Sequence, residues 1–475
     1  MNNPSRMIIS IAKKEMTEMF RDGRFRLASG IVAVLLLASL AAGWKQYGDL
    51  KNQHETAQKA ERYNWLGQTP KNPHQGAHYG VYAFKPKSQL SIVDTGVDPY
   101  IGVAVYLEAH KQNEFKFRPA QDAATSIQRF GELTAAVVLQ ILIPLLIILL
   151  AFSSFAGERE QGTLRQLLSL GVERSRLAAG KALGVAGALA AVLVPATLIG
   201  VLTLALTSSK GLLAVDVSRT ILMIGAYGLY FLIFLSLSLA VSALSSSSRV
   251  ALVVLLSFWI LNGLIATRTF SDLAGFLHPT PSEVEFDTAL QRDLEDTREL
   301  NARLDEIKSG LFQKYGVSKL DDLPINFRAI SLQQAEELNY TKFEKHFGDV
   351  FDRFEQQNGI YQLGAAVAPL LAVRSLSMGL AGTDFAHHRD FTTAAENYRR
   401  TIVRYMNDDI LVHPTKAGEE YIAGSELWKT VPEFQYEAPG PLWALSRYKT
   451  SIVLLIVWLA AAAAAVVFAA RRIQA

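Results

Sequence analysis

The sequence predicts an α-helical integral membrane protein: six transmembrane helices, an N-terminal amphipathic helix, and a mainly helical extracytoplasmic domain built from two insertions. Three observations predict it. Half of the residues are hydrophobic, and they gather in six long blocks without Asp, Glu, Lys or Arg. The charged residues collect in the segments between those blocks. The basic residues nearest the blocks fall on alternate connections, which gives the chain a consistent sidedness.

The uncharged blocks are residues 27–44, 133–157, 182–209, 220–248, 250–267 and 450–470. A helix needs about 20 apolar residues to cross ~30 Å of hydrocarbon, so each block qualifies. Helix is the required form at these lengths, because every backbone polar group must be paired without water. Pro144 and Pro195 sit inside blocks and predict kinks. A further uncharged stretch, 356–373, contains Asn358, several glutamines, two glycines and Pro369, and reads as a buried helix of the soluble domain rather than a seventh span.

Sidedness follows from the lysines and arginines. The first 26 residues carry six, the connection 157–181 carries five, Arg249 separates spans four and five, and Arg471 with Arg472 closes the chain. With six spans all of these share one side, predicted to be cytoplasmic with both termini on it. The other side then receives residues 45–132, a short loop at 210–219, and residues 268–449. The domain organisation is therefore 1–26, span 27–44, insertion 45–132, spans within 133–267, insertion 268–449, and span with tail 450–475.

The first insertion carries turn signals at Thr69-Pro70, Asn72-Pro73 and Lys85-Pro86-Lys87, with short strands expected near 79–84 and 102–107. The second reads as a helical hairpin with arms at 282–315 and 331–357, then helices near 365–380 and 390–408. Residues 413–441 read as irregular and packed back toward the membrane, with Trp428, Trp443 and Tyr448 as interface anchors. Its acidic helices suit either a solvated face or an extracytoplasmic partner. The complete absence of cysteine excludes disulfides, thiolate metal sites and thiol catalysis. No basic patch with interleaved aromatics points to nucleic acid.

Two segments carry the functional signal. Ile8, Ile11, Ala12, Met16, Met19 and Phe20 form one apolar face before the first span, as in a helix lying in the membrane interface. The connection 157–181 begins with Glu158, Arg159 and Glu160, and a helix is expected from Gly162 and Thr163, whose positive end favours nearby acids. Leu164, Leu167 and Leu168 give that helix an apolar face for a partner groove, and Arg165, Arg174 and Arg176 suit partner carboxylates. An ordinary basic loop is the plain alternative.

Together with the six-span layout, these segments resemble the type-2 family of ABC-transporter permeases. The strings at 72–86, 107–110 and 382–399 are similar to a subgroup with large extracytoplasmic insertions after spans one and five. The resemblance implies an elbow helix before span one and a coupling helix at 157–181. It also implies a dimer with a second permease copy or paralogue, separate ABC ATPase subunits that bind ATP and magnesium, and export across a bacterial inner membrane. The chain has no nucleotide site of its own. Gly180-Lys181 is followed by Ala182 where Ser or Thr is needed, and Ser175 stands where the loop needs glycine. A scaffold that passes ATPase strokes to an extracytoplasmic partner fits the same residues.

Gln140 and Asn262 are polar candidates within the spans for a substrate path, although helix packing uses such residues equally well. The histidines all fall on the extracytoplasmic side. His74, His78 and His110, and the pair His387 and His388, are candidate zinc or copper ligands, with interface hydrogen bonding as the plain alternative. Pro73 argues against a regular helix entering His74, which weakens the four-residue spacing to His78. A membrane-anchored metalloenzyme follows if those histidines hold metal, but no nucleophile–base constellation accompanies them.

Overall fold

The computed structural model of the chain describes residues 4–113, 133–207, 216–415 and 419–473. Six helices in it are long and apolar enough to cross a membrane: Gly23–Leu66, Ala135–Glu160, Arg174–Thr207, Val217–Leu244, Ser248–Leu277 and Lys449–Arg471. They coincide with the six uncharged blocks, and the fold is that of an α-helical membrane protein with a helical additional domain. Their outward faces expose Leu27, Val34, Leu198, Leu202, Val253 and Val457, as a lipid-facing surface requires. The loop expected at 210–219 and the end of the first insertion lie largely outside the described residues.

The fourth span is the centre of the bundle, with Tyr230, Ile233 and Phe234 essentially inaccessible between the second and sixth spans. The second and fifth spans each contain one π-helical stretch, Val138–Leu142 and Leu261–Ile265. The first span continues well past its apolar block. Residues 45–66 contain no proline, and the helix stops only at Gly67, whose N–H is bonded back to the Tyr63 carbonyl. At 1.5 Å per residue this 44-residue helix is about 66 Å long.

The N-terminal helix Pro4–Arg21 lies along the third span. Close approach comes from small residues spaced one turn apart. A Cβ at Gly180 would meet the Ile11 side chain at 2.6 Å, and one at Gly184 would meet Glu15 Cβ at 2.6 Å. The chain's last helix ends on the same side, where the Arg174 guanidinium donates to the Arg471 carbonyl at 3.3 Å.

At the other end, the outer part of the first span packs with an antiparallel strand pair, Val81–Phe84 and Ala104–Leu107, in the register Val81↔Leu107. The helix Phe385–Leu411 crosses this pair, and Trp65, Ala83, Val105, Phe391, Met406 and Trp428 make their shared core. Trp428 is therefore not an interface anchor. It is wholly buried, its ring seats on Gly76, and its carbonyl accepts from Trp65 Nε1 at 2.9 Å. Tyr448 is also buried, with its hydroxyl on the Asp384 carboxylate.

The expected hairpin differs in its first arm. Two helices, Glu283–Glu295 and Arg298–Tyr315, replace one, because Asp296 turns back to accept from the Arg298 backbone N–H. The second arm is one helix, Phe327–Leu363. The stretch 356–373 is not a single helix either. It closes the long arm, breaks at Gly364–Ala366, and starts a new helix, Pro369–Ala381, that packs against the fourth and sixth spans. Leu370, Leu371, Ala372 and Val373 are fully buried there. Proline at its first turn lacks only an N–H that would otherwise be unpaired.

Candidate functional site

The side of the bundle bearing the chain termini presents the connection between spans two and three. The second span ends in a turn, and Ser242 Oγ of the fourth span accepts from the backbone N–H groups of Phe155 and Ala156 at 3.0 and 3.2 Å. Gly162, at φ +73°, then reverses the chain into the helix Thr163–Ser169. Gly171, at φ +79°, turns it again into the third span.

The acidic start of this connection faces inward. Glu158 Oε1 lies 2.9 Å from Lys181 Nζ and 3.2 Å from Lys14 Nζ. Glu15 of the N-terminal helix completes the group, 2.7 Å from Lys181. Burial opposes the charge on Lys14, but the carboxylates of Glu15, Glu158 and Glu18 outweigh it and push the ammonium up to about 12. Glu160 accepts from the backbone N–H and hydroxyl of Ser248 at 3.1 and 2.7 Å, and Arg159 donates to the carbonyls of Ala243 and Ser245. These three residues fix the connection to the bundle.

Of the expected apolar face, Leu164 is buried, and Leu167 and Leu168 pack against the bundle core. A helix with its leucines folded inward cannot offer all of them to a groove. The exposed tip is instead Arg165, Gln166, Leu170 and Arg174, with Arg176 paired to Glu173 at 2.7 Å. Leu170 is 79% exposed. Sequence reasoning missed it, along with Glu15 and the buried role of Lys181. A lone leucine before Gly171 at a helix end was the available signal.

Gln140 and Asn262 lie in the two π-helical stretches and are both buried. Gln140 donates to the Tyr227 hydroxyl at 3.1 Å and accepts from Arg374 at 3.1 Å. Asn262 donates to the Tyr230 hydroxyl and accepts from the Leu370 N–H, both at 3.0 Å. Ser377 extends the network from Tyr227 to Asp94. The insertions thus bring Asp94 and Arg374 against the uncharged blocks of these spans. An apolar cleft of about 480 Å³ opens between the first, third and fourth spans, lined by Leu40, Leu193, Leu204, Tyr227 and Phe231; neither amide lines it.

The histidines separate into two places. Asn72 caps the short helix Pro73–Ala77, so Pro73 starts that helix rather than interrupting it. His74 and His78 therefore stand one turn apart, and the turn after the second strand brings His110 to them. His387 and His388 lie elsewhere. His387 sits on the Asp384 carboxylate and against Trp443, and His388 is buried beside Phe385 with neither ring nitrogen hydrogen-bonded.

Burial, reinforced by the Lys85 charge and opposed by Asp98, pushes the His388 imidazole down to about 4. Between that value and an unfolded pKa near 6.5 the unfolded chain binds the extra proton. Stability should therefore fall as pH drops from about 6.5 toward 4, by about 3 kcal/mol from this residue. Melting of the outer domain, followed by tryptophan fluorescence over that range, should show the loss, and His388→Leu should flatten it. An unchanged slope in the variant would assign the acid sensitivity to other groups.

Compared with known proteins, residues 9–319 match a family described as ABC-2 family transporter protein. Residues 283–437 match a domain of unknown function, DUF3526. No curated protein matches the chain.

Proposed function

The chain belongs to the ABC-2 family of transporter proteins, and from that premise we propose that it is a permease subunit moving substrate outward across a bacterial inner membrane. It works as a dimer, with a second copy or a paralogue. ABC ATPase subunits bind ATP and magnesium and dock on the tip Arg165–Arg174. The observation that carries the reading is the division of labour within that connection. Glu158, Arg159 and Glu160 anchor it to the bundle, while Arg165, Leu170 and Arg174 face solvent. A partner's push on the exposed tip therefore reaches the N-terminal helix and the third span through Glu158, Glu15 and Lys181.

The test is to place negative charge on the tip. Arg165→Glu and Leu170→Glu touch nothing in the bundle core, so folding and melting should stay unchanged. Co-purification of the ATPase and its stimulation in liposomes should fall by at least about tenfold, the equivalent of 1.4 kcal/mol of docking energy. Full coupled ATPase activity in both variants would overturn the docking assignment.

One feature favours a second reading, in which ATPase strokes act on a partner outside the membrane. The unbroken helix Gly23–Leu66 joins the membrane bundle to the core of the outer domain as a single rod. Energised ATPase turnover without movement of any solute, accompanied by a change at Trp65, would support that reading over transport.

A further inference from the structure

We propose that the outer domain binds one divalent transition-metal ion of the zinc class through His74, His78 and His110. Their rings form a triangle with centroids 4.8, 4.9 and 5.1 Å apart, and one ligand atom from each lies within 4.8 Å of the others. Among the described residues, no other group of three or more His, Asp or Glu meets that condition.

The surrounding hydrogen bonds decide which nitrogens face the centre. His74 Nδ1 is 3.0 Å from Asn407 Oδ1, and Asn407 donates its own Nδ2 to Gln333 at 3.0 Å, which fixes the amide's orientation. His110 Nδ1 is held on the Glu336 carboxylate, which is itself inaccessible and lies 3.5 Å from the Arg399 guanidinium. Both rings thus carry their proton on Nδ1 and direct the Nε2 lone pair inward. Those two Nε2 atoms stand 2.9 Å apart. Two lone pairs at that distance repel unless a cation or a proton lies between them. Tetrahedral zinc with bonds of about 2.0–2.1 Å separates its ligand nitrogens by about 3.3 Å, so a few tenths of an ångström of opening admits the ion.

The donor set selects the metal class. Neutral imidazoles without thiolate or clustered carboxylate suit zinc and its borderline neighbours rather than calcium or magnesium. His78 is exposed, which gives the ion an entry path and leaves a fourth position for water. His110 also has φ +65°, the only positive φ outside glycine among the described residues. Backbone in that region persists where surrounding contacts fix it.

The three ligands come from the first insertion, and their orienting acceptors, Glu336 and Asn407, come from two helices of the second. An ion here pins the two insertions to one another. A shared proton among the rings is the competing account, and metal binding distinguishes the two.

The full chain, carrying no polyhistidine tag, is dialysed against zinc chloride and its metal content measured by elemental mass spectrometry, with melting followed in parallel. One zinc per chain and a zinc-dependent rise in melting temperature are expected. His78→Gln and His110→Gln should retain no stoichiometric zinc. Glu336→Gln should weaken binding by about 10–100-fold through loss of the orienting carboxylate. His413→Gln, outside the cluster, should bind as the wild type does. His78 is exposed, so its variant is expected to melt normally without zinc, which keeps a negative result interpretable. Zinc retained equally by His78→Gln and His110→Gln, or absent from the wild type with no shift in melting, would overturn the proposal.

Discussion

Lys181→Ala should destabilise the terminal side of the bundle by about 3–5 kcal/mol and weaken the response to a docked ATPase. The Lys181 side chain is 1% exposed and satisfies two carboxylates, Glu15 at 2.7 Å and Glu158 at 2.9 Å. Its ammonium also lies 5.4 Å from the Phe155 ring centroid. Removing it leaves two acids, 8% and 12% exposed, facing one another with only Lys14 for compensation. Lys14 is half exposed, so water screens much of what it can supply. The cost comes chiefly from the orphaned carboxylates, not from a favourable ion pair lost. That distinction is testable. Lys181→Met combined with Glu15→Gln and Glu158→Gln removes the charges together and should recover most of the stability, because buried ion pairs are often no better than neutral packing. The triple variant should nevertheless couple poorly if these charges carry movement from the connection to the N-terminal helix. A Lys181→Ala variant that melts with the wild type would mean that water reaches the site and the network is ornamental.

The membrane architecture was legible because its signal is local: an uncharged block of sufficient length announces a span without reference to anything else. The Glu15–Lys181–Glu158 group was not, since its members lie 166 and 23 residues apart. Lys181 read as a topology charge, and Glu15 was not singled out at all. Only the helix-on-helix contact at Gly180 and Gly184 brings them together. Gln140 and Asn262 were visible as rare polar groups in the spans, but their partners Arg374 and Leu370 lie more than 100 residues away. For the same reason the stretch 356–373 misled: its composition fits a buried helix, and composition does not say which core buries it. Pro73 misled in the opposite direction. The same residue that breaks a helix interior is favoured at its first position, and Asn72 immediately before it marked that start.

Arg399→Ala is expected to cost about 3–5 kcal/mol as well, but in the outer domain alone. Arg399 is 1% exposed. It binds Glu396 through two nitrogens at 2.7 Å each, reaches Glu336 at 3.5 Å and the Glu108 carbonyl at 3.3 Å, and stacks 4.9 Å from the Tyr340 ring. For Glu336, burial raises the carboxyl, but His110 and, after it, Arg399 outweigh that and keep it below its usual range. Lysine should not substitute, since a single ammonium cannot reproduce the forked contact with Glu396. Glu108 belongs to the first insertion, whereas Glu336 and Glu396 belong to the second, so the seam between insertions should loosen before the spans do. Faster hydrogen exchange at residues 104–111 and 336–400, with unchanged exchange in the fourth span, would show that separation. Uniform loss of protection across the spans would show instead that the outer domain and the bundle melt as one unit, as the continuous helix Gly23–Leu66 permits if it transmits strain along its whole length.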